Sequence, residues 1–163
     1  MFSNILLNKA QKLLQVCRAA GHLIVSAESC TGGLIAGCLT EISGSSDVVE
    51  RGFVCYSNAA KVEQLGVSAE MIDMHGAVSP EVAEEMVNGA LRFSHASLAV
   101  SVTGIAGPSG GTSDKPIGLV YFGTALKSDG ASVERHIFKG DRQTVRELTV
   151  EMALDLMLLR LQI

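Results

Sequence analysis

The sequence predicts an α/β protein, a three-layer α/β/α sandwich with a mixed, mostly parallel sheet of about five strands. Short apolar runs alternate with helix-like segments over most of the chain, which is the pattern of parallel strands joined by helices. Two later apolar runs are separated by only a short turn, which predicts a hairpin and therefore an antiparallel neighbour. The 163 residues, 47% of them hydrophobic, are expected to form a single domain over residues 1–163.

Five apolar runs are predicted strands because they are short and bounded by turn residues. The first begins after Gly21 and ends at a polar, glycine-rich turn. The last two flank the turn Ser128-Asp129-Gly130 and are expected to pair with each other. The predicted strands are His22–Ala27, Gly52–Tyr56, Ala96–Thr103, Ile117–Lys127 and Ser132–Phe138.

Five helices are predicted from their start and stop signals. Small polar capping residues, and proline in the first turn, mark the starts, whereas glycine marks the stops. The predicted helices are about Ile5 to Ala20, one capped by Thr31 that reaches about Ile42, one capped by Asn58 that reaches about Leu65, one from Ser79-Pro80-Glu81 to about Phe93, and one from near Asp141.

Composition and charge narrow the class of partner. The formal net charge is -4 and there is no basic patch, so nucleic acid is not an expected partner. The apolar runs are shorter than the roughly 20 residues that cross a bilayer, so no membrane span is predicted. The four cysteines lack metal-ligand spacing, and we interpret them as buried free thiols of a cytoplasmic protein. The four histidines are scattered, so no metal site is predicted either.

Polar and glycine-rich loops follow the first three predicted strands. They begin at Glu28, Tyr56 and Thr103. In open α/β sheets, ligands bind outside the carboxyl ends of the strands, where such loops converge. We therefore expect the three loops to line one pocket.

The first loop carries Ser29, followed by Thr31-Gly32-Gly33 at the start of a predicted helix. Unpaired backbone N–H groups at a helix start bind anions, so an oxyanion or a phosphate is a predicted ligand. The alternative is that Ser29 and Thr31 only cap the helix and that the glycines only let the chain turn.

The second loop leads to Lys61, in the first turn of a helix for which Asn58 is the predicted cap. A lysine there is opposed by the helix dipole, and partial burial by the sheet would lower its pKa further. The neutral amine could then take a proton from a serine hydroxyl. An ordinary surface lysine is the alternative. Tyr56 is either a core aromatic residue or a hydroxyl that orients a proton.

The third loop offers the hydroxyl of Thr103 and the backbone N–H groups that begin at Gly104, all of which could donate to a bound carbonyl or phosphate. Its glycines do not follow the order of a nucleotide-triphosphate loop or of a dinucleotide fingerprint. Flexibility without ligand contact is the alternative. Arg142, in the first turn of the last helix, either binds phosphate or pairs with an acid.

Together these residues resemble one known family, the C-terminal domain of the competence- and damage-inducible protein CinA, which also occurs as a stand-alone nicotinamide-nucleotide amidohydrolase. The resemblance extends over nearly the whole chain. It rests on Ala27-Glu28-Ser29-Cys30-Thr31-Gly32-Gly33, Gly44-Ser45-Ser46, Arg51-Gly52-Phe53-Val54, Tyr56-Ser57-Asn58 with Lys61, His75-Gly76-Ala77-Val78-Ser79, Thr103-Gly104-Ile105-Ala106-Gly107-Pro108, Lys115-Pro116-Ile117-Gly118 and Gly140-Asp141-Arg142.

The resemblance implies hydrolysis of nicotinamide mononucleotide to nicotinic acid mononucleotide and ammonia, without a metal or another cofactor. Ser29 and Lys61 match the serine-lysine pair of the family, and Tyr56, Asn58 and Thr103 lie beside them. The substrate phosphate is expected either at Thr31-Gly32-Gly33 or at Arg142. The expected partner is therefore a small pyridine nucleotide.

Two other functions stay open at this point. The chain could be a nucleotide-binding regulatory module of the same fold without turnover, or an amidohydrolase for a different small amide. Ammonia release would distinguish an enzyme from the regulatory module. An amidohydrolase for a different amide would keep the same site residues and differ only in the residues that line the pocket walls. We also expect a homodimer, because the apolar segment Met152 to Leu161 could face a second subunit as easily as the sheet.

Overall fold

The computed structural model describes residues 2–161, and five strands form one sheet within them. The strands are β1 (Ile24–Glu28), β2 (Val49–Val54), β3 (Leu98–Gly104), β4 (Leu119–Leu126) and β5 (Gly130–Ile137). Their order across the sheet is β2-β1-β3-β4-β5. β1 is parallel to β2 and β3, while β4 is antiparallel to β3 and β5. Four of these five strands run in one direction and β4 runs in the opposite direction, which confirms the predicted mixed sheet.

Helices cover both faces of the sheet. In residues 2–161 they are α1 (Asn4–Ala20), α2 (Leu34–Thr40), α3 (Asn58–Leu65), α4 (Ala69–His75), α5 (Pro80–Arg92) and α6 (Arg142–Arg160), with a short 3-10 helix at Ser45–Asp47. α4 and the 3-10 helix were not predicted from the sequence. Both are only one or two turns long, so periodicity gives little signal for them.

Two predicted caps are wrong. Ser57, rather than Asn58, caps α3 and accepts a hydrogen bond from Ala60 N at 3.0 Å. α2 begins at Leu34 after Gly33, which has a φ of 97° and makes no side-chain cap. Thr31 lies outside the helix because its hydroxyl bonds to a buried carboxylate instead. Ser79 caps α5 as predicted, and α6 begins directly after its cap Asp141, which agrees with the predicted start near that residue.

Two apolar cores lie on the two faces of the sheet. One lies under α1, α2 and α6, and the other lies under α3, α4 and α5. Successive residues of β3 alternate between them: Leu98 and Val100 belong to the first core and Ala99 to the second. The three-layer arrangement is therefore confirmed.

The apolar segment at the end of α6 packs inside this subunit. Leu154, Met157 and Leu158 are buried in the first core, while Leu159 is 58% exposed. The segment therefore gives little support to a dimer surface. No helix within residues 2–161 combines the length and the apolarity required to cross a bilayer.

The topology brings the first three loops together. β1 lies between β2 and β3, with its last residue, Glu28, opposite Val54 and Val102. The backbone bonds continue past the strand ends, since Ser29 N donates to Val102 O at 3.1 Å and Cys55 N donates to Glu28 O at 2.8 Å. Since the three strands are parallel, their carboxyl ends meet at one edge of the sheet, as predicted.

Candidate active site

Ser29 and Lys61 meet at this edge of the sheet. Lys61 Nζ lies 3.1 Å from Ser29 Oγ, although 32 residues separate them in sequence. The amine also donates to the backbone oxygen of Cys55 at 2.9 Å. Ser29 is 9% exposed and Lys61 only 1%. Lys61 is therefore a buried lysine held against a serine hydroxyl, and the surface-lysine interpretation is wrong.

The surroundings of Lys61 favour its neutral form. Burial, the largest cause, lowers the pKa of the amine below its ordinary value of 10.5, while the nearby thiols of Cys55 and Cys30 act in the opposite direction only when they are ionised. Burial also raises the pKa of Cys55 to about 11 and that of Cys30 to about 12. Both thiols are therefore uncharged near neutral pH. Within residues 2–161, no carboxylate forms an ion pair with Lys61 that would restore its charge.

The hydrogen bond to Cys55 orients the amine. A carbonyl oxygen only accepts hydrogen bonds, so one N–H of Lys61 must point at Cys55 O. In a neutral amine, this leaves one lone pair and one N–H for the other directions. The 3.1 Å contact places the Ser29 hydroxyl within reach of that lone pair.

A cavity of about 230 Å³ opens over this pair. Seven of the ten residues expected in the site line it, which shows that the three strand-end loops converge as predicted. The lining residues are Ser29, Cys30, Tyr56, Asn58, Lys61, Ala77, Val78, Thr103, Gly104, Ala106 and Arg142.

The structure does not bring Thr31, Gly32 and Gly33 into this cavity. Thr31 is fully buried beside the carboxylate of Glu28, and Gly33 N donates to the same carboxylate at 3.1 Å. Gly32 N donates to Ser29 O instead. The predicted anion at this helix start is thus a side chain of the protein itself, which leaves no place for a substrate phosphate.

Thr103 lines the cavity but does not offer its proton to it. The hydroxyl donates to the backbone oxygen of Ala77 at 2.7 Å, and a hydroxyl has one proton to give. The predicted donor role is therefore not available in this arrangement. The bond ties the end of β3 to the loop before α5, which explains how Ala77 and Val78 come to line the cavity.

The backbone N–H of Cys30 is a donor that the sequence analysis did not single out. Within the described part of the chain it makes no hydrogen bond to another residue and contacts only its own thiol sulfur, whereas the neighbouring Ser29 N is engaged with Val102 O. Cys30 follows the serine directly and lines the cavity. The general pattern in which the residue after a nucleophile supplies an oxyanion donor would have indicated it.

Arg142 lies at the mouth of the cavity. Its Nη1 donates to Gly107 O at 2.9 Å, and its Nη2 donates to the hydroxyl of Tyr56 at 3.1 Å. It forms no ion pair with an acid within residues 2–161, so that alternative is wrong and its charge is not neutralised. Tyr56 is 61% exposed, which also excludes the core-aromatic interpretation.

A buried serine-lysine contact at the carboxyl edge of a mixed sheet defines the class: an α/β/α protein with a serine-lysine site. The chain belongs to the CinA C-terminal domain family, whose model matches residues 7–161.

The four cysteines are all free and buried, which agrees with the interpretation of them as buried free thiols.

Relatives of known name cover most of the chain. It is 44% identical to the nicotinamide-nucleotide amidohydrolase PncC of Escherichia coli K12, over 95% of this chain and 94% of that protein. It is 48% identical to a putative competence-damage inducible protein of Caldicellulosiruptor saccharolyticus, over 89% of this chain but only 35% of that longer protein. The crystal structure of competence/damage inducible protein CihA from Agrobacterium tumefaciens superposes with a TM-score of 0.96 at 44% identity, covering 100% of this chain and 99% of that one.

Proposed function

We propose that this chain hydrolyses the carboxamide of nicotinamide mononucleotide, giving nicotinic acid mononucleotide and ammonia. The observation that carries the proposal is the 3.1 Å contact between Ser29 Oγ and the buried Lys61 Nζ. The substrate class comes from the E. coli relative, which carries the name nicotinamide-nucleotide amidohydrolase. Because the named relative and this chain share nearly their full lengths, the same reaction is the simplest assignment.

Lys61 is the proposed general base. Its neutral amine accepts the Ser29 proton as Oγ attacks the carboxamide carbon, and the resulting ammonium then gives that proton to the amide nitrogen, which leaves as ammonia when the C–N bond breaks. Burial favours the neutral form before attack, which supports the first half of this cycle. The bond to Cys55 O keeps the amine in place throughout.

The Cys30 N–H is the proposed oxyanion donor. Within the described part of the chain no other residue accepts a hydrogen bond from it, and it directly follows the nucleophile. A donor aimed at the developing negative charge contributes most in a site that excludes water. We assign no donor role to Thr103, because its proton is held by Ala77 O.

Water completes the reaction in this scheme. Loss of ammonia leaves an ester between Ser29 and the nicotinoyl carbon. Lys61, neutral again, takes a proton from water as the water oxygen attacks this ester, and Ser29 leaves as a hydroxyl. The products are nicotinic acid mononucleotide and free enzyme, so atoms and charges balance.

Arg142 is the proposed phosphate-binding group. Of the two candidate positions, the start of α2 is occupied by Glu28, whereas Arg142 lines the cavity with its charge not neutralised. Guanidinium groups bind phosphate oxygens through two donors at once. The hydroxyl of Tyr56 accepts a hydrogen bond from the same guanidinium, and its proposed role is to contact the ribose phosphate with it.

The test is ammonia release from nicotinamide mononucleotide by the purified chain. Ser29→Ala is expected to abolish turnover, and Lys61→Arg is expected to lower kcat by about 10²- to 10⁴-fold, because guanidinium does not act as a base. Normal turnover by Ser29→Ala would remove the nucleophile from the scheme. Nucleotide binding without ammonia release by the unmodified chain would instead favour the regulatory module.

Homodimer formation stays a prediction. The segment at residues 152–161 is directed mainly into its own subunit, so the dimer would need another surface. Sedimentation equilibrium of the purified chain distinguishes a mass near 17.1 kDa from twice that value.

A further inference from the structure

Glu28 is a fully buried carboxylate directly before Ser29, at the end of β1. Its Oε1 accepts from Ser26 Oγ at 3.0 Å and from Ala36 N at 2.9 Å. Its Oε2 accepts from Thr31 Oγ1, Gly33 N and Ile35 N at 2.7, 3.1 and 3.0 Å. Within residues 2–161 it forms no ion pair, so these five donors provide its direct hydrogen-bonding stabilisation.

The five bonds close the loop that carries Ser29. Glu28 stands before the loop, while Thr31, Gly33 and the first residues of α2 stand after it, so its carboxylate joins the two ends. Ser29 is thereby enclosed in a ring of bonds that also includes Ser29 N to Val102 O and Gly32 N to Ser29 O. Few backbone rotations remain that would move Ser29 Oγ without breaking one of these bonds.

A second residue holds the loop from the other side. Arg146 donates from Nε to Cys30 O at 3.1 Å and from Nη2 to Thr31 O at 3.0 Å. These bonds fix the peptide planes that follow the serine. The Cys30 N–H lies in the preceding peptide plane, which it shares with Ser29 O, and the bond from Gly32 N to Ser29 O holds that plane.

We infer that Glu28 is a positioning residue of the Ser29 site, which holds the serine hydroxyl and the Cys30 N–H in the geometry required for attack. It does not line the cavity, so it acts through the loop and not on substrate. The inference rests on the proposed function for its kinetic readout only. The inference itself concerns the orientation of the Ser29 hydroxyl. The rate at which a serine-reactive reagent labels Ser29 measures that orientation without any substrate.

Glu28→Gln is the sharpest perturbation, because it conserves shape and changes hydrogen bonding. All five groups around the carboxylate are donors, and two of them, Ser26 and Thr31, are hydroxyls that can rotate to accept. An amide NH₂ in either position nevertheless faces at least one backbone N–H, of Ala36 or of Gly33 and Ile35. One loop anchor is therefore lost whichever way the glutamine turns.

The expected result is a lower kcat with little change in KM. A displacement of the nucleophile by about 1 Å costs on the order of 10²-fold in rate, so kcat should fall about 100-fold while KM stays within about threefold. Labelling of Ser29 by phenylmethylsulfonyl fluoride, followed by peptide mass spectrometry, should slow by a similar factor. Met86→Ala is the control, since it removes a buried side chain from the core on the opposite face and should leave kcat unchanged in folded protein.

The alternative is that Glu28 only stabilises α2. In that case Glu28→Gln would melt at a lower temperature, like Met86→Ala, but its kcat and labelling rate per folded molecule would equal those of the unmodified chain. That outcome overturns the inference. If the unmodified chain releases no ammonia, the proposed function fails, while the labelling rates still decide the role of Glu28.

If Glu28→Gln does not fold, two variants of Thr31 test the positioning role of Glu28 instead. Thr31→Val removes one of the five donors with little change in shape, and Thr31→Ser keeps it. We expect a fall of about tenfold in kcat and in labelling for Thr31→Val. Thr31→Ser should restore both to within about threefold of the unmodified chain. Equal rates for the two variants would overturn the inference.

Discussion

Replacing Lys61 with methionine should remove a pH-dependent part of the folding free energy. Lys61 is 1% exposed, and burial lowers the pKa of its amine below 10.5 in the folded state. In the unfolded chain the amine regains its ordinary pKa. Between the two pKa values the unfolded state therefore binds more protons than the folded state, so the contribution of Lys61 to the free energy of unfolding rises with pH.

The unfolded and folded states differ by at most one bound proton at Lys61, and this difference sets the slope of the free energy of unfolding against pH. The free energy of unfolding of the unmodified chain, minus that of Lys61→Met, should rise with pH at up to about 1.4 kcal/mol per pH unit. The rise begins at the lowered folded-state pKa and ends near 10.5, where both states are neutral. The thiols of Cys55 and Cys30, with folded-state pKa values of about 11 and about 12 against an ordinary value of 9.0, contribute equally in both proteins, so the difference removes their contribution.

Urea unfolding at half-unit pH intervals measures this difference directly. Lys127→Met, which removes an exposed lysine, controls for the loss of one amine. A difference that stays flat between neutral pH and 10.5 would show that burial does not lower the pKa of Lys61. A difference that falls with pH would mean a raised pKa. Either result would contradict the assignment of Lys61 as a neutral base.

Three further predictions concern rate, affinity and packing. The kcat/KM of the unmodified chain should rise with pH through the lowered pKa of Lys61 and then level off, because only the neutral amine accepts a proton; initial rates of ammonia release between pH 6 and 10 measure this. Arg142→Met should raise KM for nicotinamide mononucleotide about 10- to 100-fold and leave KM for the phosphate-free riboside unchanged, with exposed Lys139→Met as the control. An equal effect on both amides would remove Arg142 from the phosphate site. Gly89→Ala should lower the free energy of unfolding by about 1–3 kcal/mol, because a Cβ at Gly89 on α5 would overlap the backbone of Leu65 on α3, whereas Asn88→Ala, at an exposed position, should change it little. Urea unfolding that ranks these two variants the other way would contradict the described packing.

The order of elements was predictable because its signals are local. Apolar runs, a proline after Ser79 and a glycine after Ala20 each act within a few residues, and the corresponding helices and strands are present. The convergence of the strand-end loops also followed from the alternation of strands and helices. Exact caps were less predictable, since Ser57 and Asn58 are both good capping residues and only the three-dimensional backbone selects one.

The chemistry at the start of α2 was less accessible to sequence. Glycines and a threonine at a helix start are typical of an anion site, but the sequence does not say which anion fills it. The structure places the carboxylate of Glu28 there, from the last residue of β1. The one available signal was an acidic residue directly after an apolar strand. The hydrogen bond of Thr103 was equally unpredictable from the sequence, because its acceptor, Ala77 O, lies 26 residues away along the chain.

Trapping the covalent intermediate tests the central claim most directly. Turnover of nicotinamide mononucleotide is quenched in acid within milliseconds, and the protein is digested and analysed by mass spectrometry. A nicotinoyl-mononucleotide ester is expected on the peptide that contains Ser29, and neither adduct nor ammonia release is expected for Ser29→Ala. An adduct mapped to another side chain, or undiminished ammonia release by Ser29→Ala, would contradict that claim.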